Sequence, residues 1–203
     1  MNKTITKDTI KNSLSFEDFI SLMTQLMEIN KTTGNEQTEE KIKYNKINLQ
    51  RIIRSEKTFV LLPETERFIR SIKSRQYWLI IVEAWCGDVS QNLAPIYNLS
   101  KLNPLISFHI ILRDDNPDII NNYLTEGSQS IPKLIILDEN LNELAVWGPR
   151  PQGGYEILKR FKTNSNITKE LFHHDLHLWY FKDRGIELQK EIVELVKESL
   201  KRI

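Results

Sequence analysis

The sequence predicts an α/β protein, a three-layer sandwich with a four-stranded mixed sheet, flanking helices and helical extensions at both ends. Three observations predict it. Trp78-Leu79-Ile80-Ile81-Val82 is a short apolar run, rich in β-branched residues, of the kind a central strand buried on both faces needs. Helix and strand signals alternate after it and end in a hairpin, whereas the chain before Tyr77 carries helical patterns alone. Residues 1–75 therefore read as a helical N-terminal extension packed on the domain, and residues 76–203 as the domain with its C-terminal helices.

Each element has a local cause. Phe16, Phe19, Ile20, Met23, Leu26 and Met27 follow a helical period that Ser15 can cap. The polar stretch Asn30 to Thr38 breaks that pattern before Ile42, Leu49, Ile52 and Ile53 suggest a second, basic helix, and Pro63-Glu64 opens a third through Phe68, Ile69 and Ile72. The first strand ends at Trp85-Cys86-Gly87-Asp88, and Leu93, Ile96, Tyr97 and Leu99 beyond it share one helical face. Ile106 to Leu112 is a second strand, and Asp114-Asp115-Asn116-Pro117 leads from it into a short helix that Gly127 is expected to end. Ile131-Pro132 precedes Leu134 to Leu137, a turn over Asp138 to Asn142, and Leu144 to Trp147, an antiparallel hairpin. Helices over Gly154 to Lys162 and Lys169 to Arg202 close the chain. The first strand is expected near the sheet's centre, with the second on one side and the hairpin on the other.

Composition removes several function classes. The 203 residues include 28 basic and 27 acidic side chains, so no charge excess recommends nucleic acid or an anionic membrane as partner. No apolar stretch reaches the length of a membrane span, and Met1 to Ser15 lacks the apolar core of a signal peptide. A single cysteine excludes an internal disulfide and fits a reducing compartment, which points to the cytoplasm.

The order of strand, cysteine at the first turn of a helix, strand, helix, Ile-Pro, hairpin and helix is that of the thioredoxin fold. Trp85-Cys86-Gly87-Asp88-Val89 resembles the thioredoxin W-C-G-P-C motif, and Ile131-Pro132 looks like the cis-proline that faces the thiol in that fold. Trp147-Gly148-Pro149-Arg150-Pro151 stands where a third loop walls the site. Arg51 to Lys57, Glu83 to Asp88 with Gln91-Asn92, and Trp179-Tyr180 with Asp183 extend the likeness, from about Leu49 to Leu195, to a thioredoxin-like family of this length whose members mostly lack an assigned reaction. The resemblance implies Cys86 and Asp88 as catalytic residues and Trp85, Gly87, Ile131, Pro132, Gly148 and Arg150 as the substrate-binding surface. It implies a disulfide-bearing protein or a low-molecular-weight thiol as partner, and no cofactor or metal.

The departures define the chemistry. Val89 replaces the second cysteine, so a mixed disulfide at Cys86 needs an external thiol to resolve it. Asp88 replaces the proline, and the buried acid expected six residues before the cysteine is Ile80. A helix N-terminus favours a thiolate, with the Gly87 and Val89 amides expected to face it, while the Asp88 carboxylate opposes one. Arg150 could decide the balance by pairing with Asp88 or supporting the thiolate directly. A disulfide oxidoreductase is the leading function, and a non-catalytic binding module or redox sensor the alternative. His173 and His177 share a helix face, but two ligands make no metal site, so they read with His174 as a solvated face. The basic residues Lys41, Lys43, Lys46, Arg51, Arg54 and Lys57 read likewise, and Trp179, Tyr180 and Phe181 read as core contacts.

Overall fold

In the computed structural model, which describes residues 4–201, one four-stranded sheet runs in the order β2-β1-β3-β4, with β1 spanning Gln76–Val82, β2 Ile106–Leu112, β3 Lys133–Asp138 and β4 Glu143–Trp147. β1 pairs in parallel with β2 and antiparallel with β3, which pairs antiparallel with β4. This is the mixed α/β sheet expected, with the apolar run at its centre. Trp78, Leu79, Ile80, Ile81 and Val82 are inaccessible to solvent, as burial on both faces demands.

Before the sheet come α1 (Lys7–Lys11), α2 (Phe16–Glu28), α3 (Glu39–Thr58) and α4 (Pro63–Ser71). Ser15 caps α2, its hydroxyl accepting from Asp18 N–H while the Asp18 carboxylate accepts from Ser15 N–H, and Phe16, Phe19 and Met23 go into the core. The polar N-terminal sequence gives no sign of α1 or of the β-bridge at Leu14. Leu14 exchanges two backbone hydrogen bonds with Ile110, at 2.8 and 2.9 Å, and so covers part of the outer edge of β2.

α5 (Gly87–Ser100) follows β1 directly and packs on α3. Pro95 lies inside it and has no N–H for the Gln91 carbonyl; the Ser55 hydroxyl of α3 donates to that carbonyl instead, at 3.1 Å. α6 (Pro117–Ile120) is shorter than expected. Asn121, still in right-handed helical backbone, is its C-cap, and Gly127, at φ +78°, belongs to a separate Thr125–Ser128 turn.

The C-terminal half carries α7 (Gln152–Thr163), α8 (Lys169–Asp183) and α9 (Ile186–Leu200). The single helix expected from Lys169 onward is thus two helices, and its expected end at Arg202 lies outside the described residues. Arg184 and Gly185 both adopt left-handed backbone, and Asp183 accepts from Glu187 N–H to start α9. A Cβ at Gly185 would lie 2.9 Å from the Phe59 ring, so both the turn and the packing require glycine. The break lets α9 pack against β4 and α4 while α8 packs against α7 around a second apolar cluster of Ile157, Phe172, Leu176 and Tyr180.

Candidate functional site

Cys86 is the N-cap residue of α5, at the point where the chain leaves the centre of the sheet. The residue two before it is clamped from both sides by the N-terminal segment. Thr33 Oγ1 accepts from Ala84 N–H at 2.8 Å, and Asn48 Nδ2 donates to the Ala84 carbonyl at 2.9 Å. The stretch Asn30 to Thr38, polar in sequence, is therefore folded onto the β1–α5 junction. Gly34, at φ +85°, brings Asn35 N–H to within 2.9 Å of Asp114 Oδ2, and Asp114 N–H donates to the buried Glu83 carboxylate at 3.0 Å. Glu83 is a buried acid three residues before the cysteine, and burial raises its pKa.

The Cys86 side chain is half-buried and its Sγ lies 3.3 Å from the Ile131 carbonyl oxygen, to which the S–H donates. The Ile131–Pro132 peptide is cis, as is Gly148–Pro149, and both Ile131 and Pro132 are buried. Gly148 adopts φ +114° with its Cα so near the Pro132 carbonyl that a Cβ would overlap it. Trp85 is half-buried, with Lys41 Nζ 4.4 Å and the Arg113 guanidinium 4.8 Å from its ring centroid. Trp85, Cys86, Asp88, Ile131 and Arg150 border one shallow depression, together with Pro149. Gly87, Pro132 and Gly148 do not border it, and Pro132 is buried.

Asp88 is nearly inaccessible to solvent and doubly bound. Arg150 Nη2 donates to its Oδ2 at 2.5 Å, and the Tyr180 hydroxyl donates to its Oδ1 at 2.8 Å. Asn92 Nδ2 donates in turn to the Tyr180 oxygen at 3.0 Å. Burial raises the Asp88 pKa, and Arg150 and Tyr180 act against that rise by stabilising the carboxylate. The thiol feels both partners. Burial and then the Asp88 charge push Cys86 up to about 12, against the pull of the Val89 and Asp88 amides and of Arg150. The amides that oppose the rise are those of Asp88 and Val89, whereas the sequence points to Gly87 and Val89; the N-cap position of Cys86 explains the difference, since a cap side chain faces the second and third amides of its helix.

Sequence reasoning misses the contribution of α8. Tyr180 reads there as a core contact, which its burial bears out, while Phe181, read the same way, is exposed; Tyr180 also lines, with His173 and His177 from the face read as solvated, a second cavity of about 320 Å³ beside Cys86, between α3 and α8. Arg51 and Lys41, which also read as solvated, line it as well. The cause is tertiary: α8 folds back over the N-terminal turn of α5, putting the His177 ring 3.9 Å from where a Gly87 Cβ would stand. The signal available is spacing, since His173, His177 and Tyr180 fall on one helical face. Among the described residues no group of three or more His, Cys, Asp or Glu is placed to hold a metal ion, and no helix is long and apolar enough to cross a membrane.

A family model described as thioredoxin matches residues 34–163. Two solved structures are similar over most of their length. One is the crystal structure of an HIV epitope-scaffold, at 18% identity and a TM-score of 0.58, covering 86% of this chain and 97% of that one. The other is a protein of unknown function from Pseudomonas aeruginosa, at 17% identity and a TM-score of 0.58, covering 92% of this chain and 99% of that one. At such identities the likeness bears on fold alone. No curated protein matches. α8 and α9 lie beyond the residues that the family model matches.

Proposed function

This chain belongs to the thioredoxin family, and from that premise we propose that it exchanges thiols and disulfides through Cys86 alone, as a monothiol oxidoreductase. One observation carries the reading: Cys86 occupies the N-cap position of α5 with its sulfur 3.3 Å from the Ile131 carbonyl, next to a cis-proline and at the edge of an open depression. Trp85, Ile131 and Arg150 form the surface on which a disulfide would lie, and Gly87, Pro132 and Gly148 shape the backbone around it. The partner is a disulfide-bearing protein or a low-molecular-weight disulfide, in a reducing compartment such as the cytoplasm. Residues 1–75 act as an extension that fixes the motif, through Thr33 and Asn48 on Ala84.

The chemistry needs two steps. Cys86 loses its proton to solvent, and its thiolate attacks one sulfur of the substrate disulfide; that S–S bond breaks, the departing thiolate takes up a proton, and a mixed disulfide with Cys86 remains. With Val89 where a resolving cysteine would stand, an external thiol attacks the mixed disulfide, releases Cys86 as a thiol and leaves as a new disulfide. Burial and then the Asp88 charge favour the protonated thiol of Cys86 between turnovers, and Arg150 opposes them. Exchange is consequently slow at neutral pH and limited by the small thiolate fraction. Reduction of a model disulfide, measured with and without added glutathione, tests the reading: glutathione-dependent turnover that Cys86→Ser abolishes supports it, and turnover indistinguishable from Cys86→Ser refutes it.

The raised thiol favours a second reading, a binding module that keeps the family's groove without the reaction. A protonated, half-buried sulfur is a weak nucleophile and a poor oxidation sensor. On that reading Cys86→Ser leaves partner binding intact.

A further inference from the structure

We propose that the cavity between α3 and α8, which adjoins the Ile131 depression at Trp85, Cys86, Asp88 and Arg150, binds a small organic carboxylate with an apolar body, its anionic group held by Arg51. The cavity's volume of about 320 Å³ is in the range of small-molecule sites. Tyr44, Trp85, Phe172 and Leu176 give it apolar and aromatic walls, which suit an apolar body and exclude a bare inorganic anion as the best-fitting occupant.

The charges on those walls are not balanced. Glu40 at the cavity is 3.8 Å from Lys169, and Asp88 is held by Arg150 and Tyr180, so both acids already have partners. Lys41 is paired with Glu36 at 2.7 Å. Arg51 is different: it is half-buried, donates from Nη1 to Asn48 Oδ1 at 3.1 Å, and has no carboxylate within ion-pair distance among the described residues. A guanidinium withdrawn from water without a counter-ion is costly, and an anion placed against it repays that cost. His177 is held neutral by burial first and then by Arg51, His173 and Arg54.

Hydrogen-bond supply leans the same way. His177 Nδ1 and Arg150 Nε and Nη1 are buried without partners, in residues that line this cavity. Orphaned polar atoms are rare in folded proteins, and the two unpartnered Arg150 nitrogens add donors to a wall on which Glu40 and Asp88 are already paired. A carboxylate supplies acceptors.

The test is a titration of the full-length protein, followed by protein NMR, with benzoate, 3-phenylpropionate and 4-methylvalerate, each beside its uncharged amide. At least one acid is expected to shift the Trp85 indole N–H and the Gly87 and His177 amide signals saturably, and to bind about tenfold more tightly than its amide. Arg51→Gln is expected to remove that preference, and Arg51→Lys, which keeps the charge, to retain most of it. Equal affinity for acid and amide, a preference that survives Arg51→Gln, or no saturable shift with any of the three acids at millimolar concentration overturns the proposal. Binding is expected to persist in Cys86→Ser, so this inference and the thiol-exchange reading stand or fall separately.

Discussion

Arg150 reaches back across 62 residues of chain to ion-pair with Asp88, and the two then act on the Cys86 thiol with opposite sign. The carboxylate raises the thiol pKa and the guanidinium lowers it. The pair is held in a low-dielectric pocket, since the two side chains are 14% and 9% exposed, so neither charge is screened as it would be at the surface. Pairing leaves Asp88 the stronger influence because it sits in the first turn of the helix that Cys86 caps. Burial first, and then a negative charge where a helix N-terminus would otherwise favour thiolate, raise the thiol pKa.

Removing each charge should move the thiol in opposite directions. Asp88→Asn is expected to lower the Cys86 pKa and to speed alkylation by iodoacetamide at mildly alkaline pH by about tenfold or more. Arg150→Gln is expected to slow it. Rates measured across a pH series for both variants check this, and equal rates in the two would remove Asp88 and Arg150 from control of the thiol.

The raised thiol also fixes the pH dependence of stability. A group whose folded pKa lies above its unfolded value stabilises the fold fully below the unfolded value and loses that contribution as pH rises toward the folded one. For Cys86 the window opens near the ordinary thiol value, about 8.5, and extends to about 12. Wild-type protein is expected to lose denaturant stability progressively above the lower limit, and Cys86→Ser, which has no such proton to lose, to lose less. Parallel curves for the two proteins would show that the thiol is not held up by the fold.

Much of this site is legible in the chain and some is not. β1 is legible because a strand buried on both faces has to be apolar throughout, and Trp78 to Val82 is. The Asp88–Arg150 pair is legible as a possibility, since the order of elements brings the loop after β4 to the end of β1. The break at Gly185 is hidden by periodicity: Leu176 and Tyr180 before it and Leu188 and Ile192 after it each make a good helical face, and nothing local says that the faces turn toward different neighbours. Tyr180 is legible only as an aromatic residue with some claim on the core. That its hydroxyl meets Asp88, 92 residues earlier, depends on α8 folding back over α5.

Tyr180→Phe tests that long-range contact. It removes the donor to Asp88 Oδ1 and the acceptor for Asn92 Nδ2 while leaving the ring in the cluster with Ile157, Phe172 and Leu176. Asn92 keeps its second acceptor, the Asp88 carbonyl at 2.8 Å. The expected loss of stability is about 1–3 kcal/mol, the cost of leaving a buried carboxylate short of one hydrogen bond. A loss near zero in chemical denaturation would mean that water replaces the hydroxyl.

Gly148→Ala should be among the most damaging single changes in the chain. The residue sits at φ +114°, a region that side chains strongly disfavour, and its new methyl would overlap the carbonyl of Pro132, which is backbone and cannot step aside. Strain and overlap together are expected to cost roughly 3 kcal/mol or more. Gly127→Ala is the control, since it also has positive φ but nothing within 4 Å of the added Cβ; it should lose only the conformational part. Equal losses for the two would show that the Pro132 contact carries no energy.

His177 sets the acid limit of the same region. Burial and the cations Arg51, His173 and Arg54 depress its pKa from the usual 6.5 to about 4, so the folded state binds its proton later than the unfolded state does. The stability it contributes is complete above the unfolded value and is lost as pH falls through that window, because the unfolded chain then takes up the proton first. His177→Gln is therefore expected to flatten the decline in denaturant midpoint between about pH 6.5 and about pH 4 relative to wild type. His173 and His109, whose pKa values are also depressed, add to the decline in the same sense, as does Asp114 at its lower end. Adding a carboxylate that binds between α3 and α8 would partly neutralise Arg51, ease the repulsion on His177 and raise its pKa, so the wild-type curve should shift toward that of His177→Gln. A wild-type decline unchanged by His177→Gln would mean that the imidazole titrates as freely in the folded chain as in the unfolded one.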